Sequence, residues 1–472
     1  MNTLPDHIFR GYDIRGVVDK DLDEENVYIL GQAYATWLLN RRIYDCVVGY
    51  DCRLSSPGYY QAMTYALMQA GITVYDIGLT LSQIAYFAQY LFRTRGMVMI
   101  TASHNPKEYN GFKLGSGFSE TMLTKDIQDL KSIAQSQKFH TAAKKGNHVI
   151  KDVFEDYLND LKRHILLESI APMRVVIDSC AATTGVFLPR ILRAYGCDVI
   201  EQNIQPDGNF PVGTPDPTEA SVQKKLADRV KAEKADIGFS YDADGDRIGV
   251  VDEEGNLIWN DTLCSLYAQD ILESLPGSKI VFNTLCSKQV DEVIRLSGGE
   301  AIMWMTGHSF IKSKVRETGA PFGGELSGHF YFVDNFYGHD DGAVSTLRLL
   351  AYLTRTKQSL RNAVRSLPQY ISSPEIKIGC SDRLKFQVVQ QLTQQVKAAF
   401  PHAEYVEIDG IRVDTESAML VIRASQNGPY LTVKFEAKAD EEYHTIKTMI
   451  SNMLHKNRDI DFQYGVNLES LL

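Results

Sequence analysis

The chain has 472 residues, 44% hydrophobic and 23% charged, which is the balance of an ordinary soluble protein but too long for one hydrophobic core; three or four domains are expected. The formal net charge of −10 argues against a nucleic-acid or anionic-membrane partner, which would need clustered Lys and Arg, yet a few local cations could still hold a small anionic substrate. The seven cysteines are scattered without any Cys-x-x-Cys spacing, so they read as buried free thiols of a reducing compartment. Residues 1–16 carry charges where a signal peptide needs an apolar stretch, and the expected location is the cytoplasm.

In chain order, short β-rich runs at 46–50 and 97–100 alternate with helical patterns at 27–39 and 57–71, as βαβ units around a buried sheet require. The pattern restarts twice. Runs 174–178 and 236–241 bracket a second α/β stretch, and 279–283 opens a third that ends in a helical pattern over 342–354. Pro368 and Ser372-Ser373-Pro374 mark a linker. Beyond it, Leu431, Val433, Phe435 and Ala437 alternate with Thr432, Lys434 and Glu436, the pattern of a strand with one face buried. The predicted class is α/β: three consecutive α/β domains with mixed, mainly parallel sheets over 1–150, 151–256 and 257–367, then an α+β domain over 368–472.

Four loops carry chemistry. Residues 101–106 (TASHNP) follow the run 97–100, which puts Ser103 just past the C-terminal end of a strand, where ligand sites of α/β sheets collect. His104 and Asn105 could orient its neighbours, although the segment also reads as a polar turn ended by proline. In 242–247, Asp242, Asp244 and Asp246 crowd three carboxylates at alternate positions, which calls for a hard cation such as magnesium. A calcium loop between helices is the rival, but Arg247 stands where its turn needs glycine and the flanks read as strands. Residues 323–329 bring Glu325, Ser327 and His329 together between glycines, a set suited to sugar hydroxyls, and His308 in the segment 306–308 poses the same question. In 423–429, Arg423, Ser425, Gln426 and Asn427 offer the forked donors a phosphate dianion prefers, or else form a hairpin turn with an exposed arginine.

Taken together, in this order and spacing, the four loops resemble those of the α-D-phosphohexomutase superfamily, nearest its bacterial phosphomannomutase/phosphoglucomutase branch. Residues 9–16 (FRGYDIRG), 49–57 (GYDCRLSSP), 111–113 and 306–312 (TGHSFIK) extend the likeness over essentially the whole chain. The resemblance implies four domains around a central cleft, each giving one loop. It implies that Ser103 is a phosphoryl carrier whose phosphate completes a Mg2+ shell with Asp242, Asp244 and Asp246. It further implies that hexose 1-phosphate and 6-phosphate, of mannose, glucose or both, interconvert through a hexose 1,6-bisphosphate that turns over in the cleft.

By the same likeness, Arg15, Lys113 and His329 stand at positions tied to proton transfer or to holding the reacting groups, with Arg247 supplying charge and His104 beside the nucleophile. Tyr12, His308, Glu325, Ser327, Arg423, Ser425, Gln426 and Asn427 fall to substrate. Small sugar phosphates are the implied partners of a monomer or weak homo-oligomer. Leu285 departs from the lysine of close relatives, and the Gln426-Asn427-Gly428 stretch departs from their Gly-Thr-Glu. Leu326 separates the chain from phosphoglucosamine mutases, which carry Gln there and remain the second reading. Glucose-only phosphoglucomutases are the third, and a phosphomonoester hydrolase using the same serine is the alternative from a different class of enzyme.

Overall fold

A computed structural model describes residues 4–426 and 428–471. The chain divides into two compact units, one of residues 1–260 and 327–363, the other of 261–326 and 364–472.

The first unit holds two sheets of mixed direction. In one, the strand Asp45–Tyr50 runs parallel to Thr73–Leu79 and Gly96–Ile100, while Tyr109–Gly117 closes back antiparallel on Gly96–Ile100 and pairs with Ile14–Val17. The helix Glu24–Asn40 covers this sheet because its apolar residues recur at helical spacing. Val27, Leu30, Tyr34, Trp37 and Leu38 are all buried in the core. Each such side chain stabilises the fold by about 1.5–3 kcal/mol. Asp23 starts this helix by accepting a hydrogen bond from the Asn26 amide at 2.7 Å, and Glu24 and Glu25 in its first turn suit the positive end of the helix dipole. In the second sheet Ile237–Tyr241 lies parallel to Arg174–Asp178 and antiparallel to Ile248–Val251.

In the second unit Lys279–Asn283 lies parallel to both Glu300–Trp304 and Phe322–Gly324. Residues 364–472 build an antiparallel sheet, with Ala418–Ala424 and Tyr430–Ala437 at its centre, backed by the helices Lys385–Ala399 and Asp440–His455.

One expectation needs correction. Tyr430–Ala437 is buried on both faces, with Thr432, Lys434 and Glu436 each at most 2% exposed. The polar face is covered because its charges have partners. Lys434 Nζ donates to Asp261 Oδ2 at 2.6 Å, and Glu436 Oε1 accepts from Ser287 Oγ at 2.9 Å and from the Lys288 amide at 2.6 Å. A buried charge survives only when paired in this way.

Six of the seven cysteines are buried, Cys52 is half-buried, and all carry free thiols. Among the described residues, no helix is long and apolar enough to cross a membrane.

Candidate active site

Ser103 follows the strand Gly96–Ile100 as expected, but the turn that carries it is built rather than casual. Its φ is +51°, a left-handed conformation that costs a side-chain-bearing residue about 1–2 kcal/mol and so must be held from outside. Arg53 holds it. That fully buried guanidinium donates through Nη2 to the carbonyls of Ser103 and Asn105 at 2.7 Å each, and through Nη1 to those of Pro106 and Tyr109 at 2.8 and 3.0 Å. Asp51 completes the strut by accepting from Arg53 Nε at 3.1 Å. The Ser103 amide is anchored on Thr101 Oγ1 at 2.8 Å.

Held this way, Ser103 Oγ donates to Asp242 Oδ2 at 2.6 Å and lies 3.3 Å from His104 Nδ1. The serine and acidic loops, 139 residues apart in sequence, therefore meet at the Ser103 hydroxyl. Asp242 also closes its own loop, since its Oδ1 accepts from the amides of Gly245 and Arg247. Gly245 is required there: its φ is +79°, and a Cβ would press within 2.9 Å of Thr184. The flanks are the antiparallel strands Ile237–Tyr241 and Ile248–Val251, which removes the helix-flanked calcium loop from consideration.

Asp242, Asp244 and Asp246 are all fully buried, and one carboxylate oxygen from each falls within 4.8 Å of the others. Lys113 Nζ bridges two of them, donating to Asp244 Oδ2 at 2.6 Å and to Asp246 Oδ2, with Ser82 Oγ 3.1 Å away. Burial and the repulsion of Asp244 and Asp246 push the Asp242 carboxyl well above the ordinary carboxylate range. Burial also raises Asp246, with Asp244 adding to it. For Asp244 burial acts upward too, but the Lys113 ammonium and the Ser82 hydroxyl outweigh it and hold the group down at about 2. One lysine does not satisfy the cluster, because Asp244 Oδ1 and Asp246 Oδ1 are buried with no hydrogen-bond partner. Two orphaned oxygens beside a third carboxylate offer an all-oxygen donor set that a hard divalent cation could occupy.

Arg247 and His329 flank the cluster. Arg247 Nε donates to His329 Nε2 at 3.0 Å. A guanidinium can only donate, so this imidazole keeps its Nε2 unprotonated and carries its proton on Nδ1, which faces Asp340 Oδ2 at 3.1 Å and Asp246 Oδ1 at 3.6 Å. Arg15 reaches the serine loop through Asn105 Oδ1 at 2.7 Å and is steadied by Asp13 at 2.7 Å. Ser103, His104, Arg15, Lys113, Arg247, His329 and the three aspartates thus form one network. Tyr12 is buried in the same unit, and Ser327 lies at the start of the segment that returns to it.

The remaining residues gather in the second unit. Arg423 is 5% exposed and donates through Nε to Asp409 Oδ2 at 2.7 Å, so the reading with an exposed arginine does not hold although the turn is a hairpin. Glu325 Oε1 accepts from the Gly307 amide at 2.9 Å, which ties Glu325 to the start of the helix His308–Thr318. Ser425 Oγ accepts from the Gly428 amide at 3.1 Å, Gln426 is half-buried, and Asn427 lies outside the described residues. Sequence reasoning gave no role to Arg53, Ser82, Asp340 or Asp409. Only Arg53 left a signal, inside the 49–57 stretch.

Family models for phosphoglucomutase/phosphomannomutase α/β/α domains I, II and III match residues 6–141, 155–255 and 259–370. The chain therefore belongs to the phosphoglucomutase/phosphomannomutase family of phosphohexomutases, which are phosphotransferase enzymes. It is 38% identical over 452 residues to a phosphomannomutase/phosphoglucomutase of Pseudomonas aeruginosa, covering 96% of each chain. It is 35% identical to a phosphoglucomutase of Neisseria meningitidis, covering 98% of this chain and 99% of that one. The crystal structure of a phosphoglucomutase/phosphomannomutase family protein from Burkholderia thailandensis superposes with a TM-score of 0.87 at 33% identity, covering 96% and 98%.

Proposed function

We propose that this chain is a cytoplasmic, Mg2+-dependent phosphohexomutase that interconverts the 1- and 6-phosphates of mannose, glucose or both, with Ser103 as phosphoryl carrier and a hexose 1,6-bisphosphate between the half-reactions. The observation that carries this reading is the buried hydrogen bond from Ser103 Oγ to the triad member Asp242, at the edge of an acidic cluster with two orphaned oxygens. In the forward half-reaction the P–O bond to Ser103 Oγ breaks, a P–O bond to the free sugar hydroxyl forms, and the proton that this hydroxyl loses ends on Ser103 Oγ, which is left as a free hydroxyl. Transfer from the other phosphate of the bisphosphate then restores phosphoserine.

Phosphoryl transfer needs alignment and charge neutralisation more than covalent help. Mg2+ held by Asp242, Asp244, Asp246 and the phosphoserine would supply the neutralisation. Arg247 adds a fixed positive charge, and Arg53 and Arg15 keep the serine loop in place. Glu325, Ser327 and His308 are assigned to the sugar, and Arg423, Ser425 and Gln426 to the phosphate that is not being transferred.

Incubation with Mg2+ and a trace of hexose bisphosphate, followed by 31P spectroscopy, tests this. Mannose or glucose 1- and 6-phosphates should interconvert with almost no inorganic phosphate released. Conversion of glucosamine phosphate alone would overturn the sugar assignment, and steady release of inorganic phosphate would make the protein a hydrolase.

The electrostatics add an independent expectation. Because Asp242 holds its proton to higher pH than an ordinary carboxylate, a cation must displace that proton to bind. Mg2+ affinity should therefore fall as pH drops from 8 to 5, and calorimetry in two buffers of different ionisation heat should show proton release. Affinity that is flat with pH and heat that is independent of buffer would contradict it.

A further inference from the structure

Asp409 lies in the short turn between the strands Glu404–Val406 and Ile411–Asp414, outside all four loops that carry the proposed chemistry. Its carboxylate is almost wholly buried, and one oxygen does two jobs: Oδ2 accepts from Arg423 Nε at 2.7 Å and from the Thr306 amide at 2.9 Å. The neighbouring Gly307 amide is held by Glu325 Oε1 at 2.9 Å. Two carboxylates thus grip consecutive peptide N–H groups immediately before His308, and one of them also grips the guanidinium of the phosphate-type loop.

The backbone is shaped for this contact. Gly410 has a φ of +83°, and a Cβ there would come within 2.3 Å of the Ile422 carbonyl and 2.8 Å of Arg423 Cα. Only glycine lets the turn sit this close to Arg423, and the approach places Asp409 against Nε. Two residues further on, Arg412 fixes the same turn by donating through Nη1 to the carbonyls of Thr284 and Cys286.

We propose that Asp409 is a positioning residue: it orients the Arg423 guanidinium for the substrate's non-transferring phosphate and sets its distance from the peptide that carries His308. The contact occupies Nε, one of five N–H donors, and leaves the two Nη nitrogens outside it, the pair from which a forked contact to phosphate oxygens can be made. A carboxylate beside a phosphate site also has a cost, since it repels the incoming dianion. The two effects predict opposite signs. If Asp409 mainly neutralised Arg423, removing it would tighten binding; if it positions Arg423, removing it weakens binding. The shared hydrogen bond to the Thr306 amide favours the second, because a mere counter-charge would not need to reach a neighbouring peptide.

This inference rests on the assignment of Arg423 to phosphate, so its test uses binding rather than turnover. Glucose 6-phosphate and mannose 1-phosphate are titrated calorimetrically into the Ser103→Ala protein and into the same protein carrying Asp409→Ala or Asp409→Asn. Asp409→Ala should weaken binding of both about tenfold, as expected for loss of a charge-assisted bond. Asp409→Asn keeps an acceptor oxygen on the same stem and should recover most of that loss. In a Ser103 background Asp409→Ala should raise KM by a similar factor while kcat changes less than about threefold. Unchanged or tighter binding by Asp409→Ala overturns the positioning role, as does equal damage by Ala and Asn. Absence of turnover in the unsubstituted protein with sugar phosphate still bound would instead sink the mutase reading alone. No binding by the parent would sink both.

Discussion

Ser103→Ala is expected to lower mutase turnover at least about a thousandfold, a loss of about 4 kcal/mol in transition-state stabilisation. The methyl group cannot carry a phosphoryl group; Arg15 reaches the loop only through Asn105, and Asp242 accepts from Oγ rather than standing in for it. The fold should survive, because the turn is held through backbone carbonyls and not through the Ser103 side chain. Intact-mass measurement separates the cases. The active protein should gain one phosphate from hexose bisphosphate and the variant none. A variant that keeps full turnover, or an active protein never phosphorylated on Ser103, would remove the carrier role.

Arg53→Met is expected to damage both stability and activity although Arg53 touches no reacting atom. Methionine fills much of the volume but leaves Asp51 buried without its cation and takes a donor away from four carbonyls. Breaking a buried pair from one side typically costs 3–5 kcal/mol. Denaturant unfolding should show that loss. The released turn has no reason to keep Ser103 at positive φ, and a nucleophile displaced by about 1 Å can lose a further factor of about 100 in rate. Arg53→Lys should not restore either property, since a single ammonium cannot reach four carbonyls and a carboxylate from one position. Wild-type stability and turnover in the lysine variant would show that the strut is dispensable.

Much of this was legible in the sequence because its carriers are contiguous. The strands Arg174–Asp178 and Lys279–Asn283 match the predicted runs residue for residue, and two of the four loops, the serine and acidic ones, are in contact through Ser103 and Asp242. What stayed hidden depends on partners far along the chain. Nothing near Arg53 in sequence shows that its guanidinium ends on carbonyls about 50 residues later. The neutral tautomer of His329 follows from Arg247, 82 positions earlier. The strand Tyr430–Ala437 misled for the same reason: alternation reports that one face is polar, and it does not report whether water or Asp261 and Ser287 will meet it.

The interleaving of the two units bears on how the protein is made. The network around Ser103 draws on residues 15–113 and 242–247, then waits for His329 and Asp340, which belong to the segment 327–363 that follows an excursion into the other unit. On the ribosome, at about 5–20 residues per second, roughly 5–20 s separate the emergence of residue 260 from that of residue 363. For that interval the three aspartates exist with Lys113 available but without the imidazole that orders Arg247. Nascent chains halted between these points should be open to protease in the 242–247 loop, and the first of the two units is complete only when about three quarters of the chain has been synthesised.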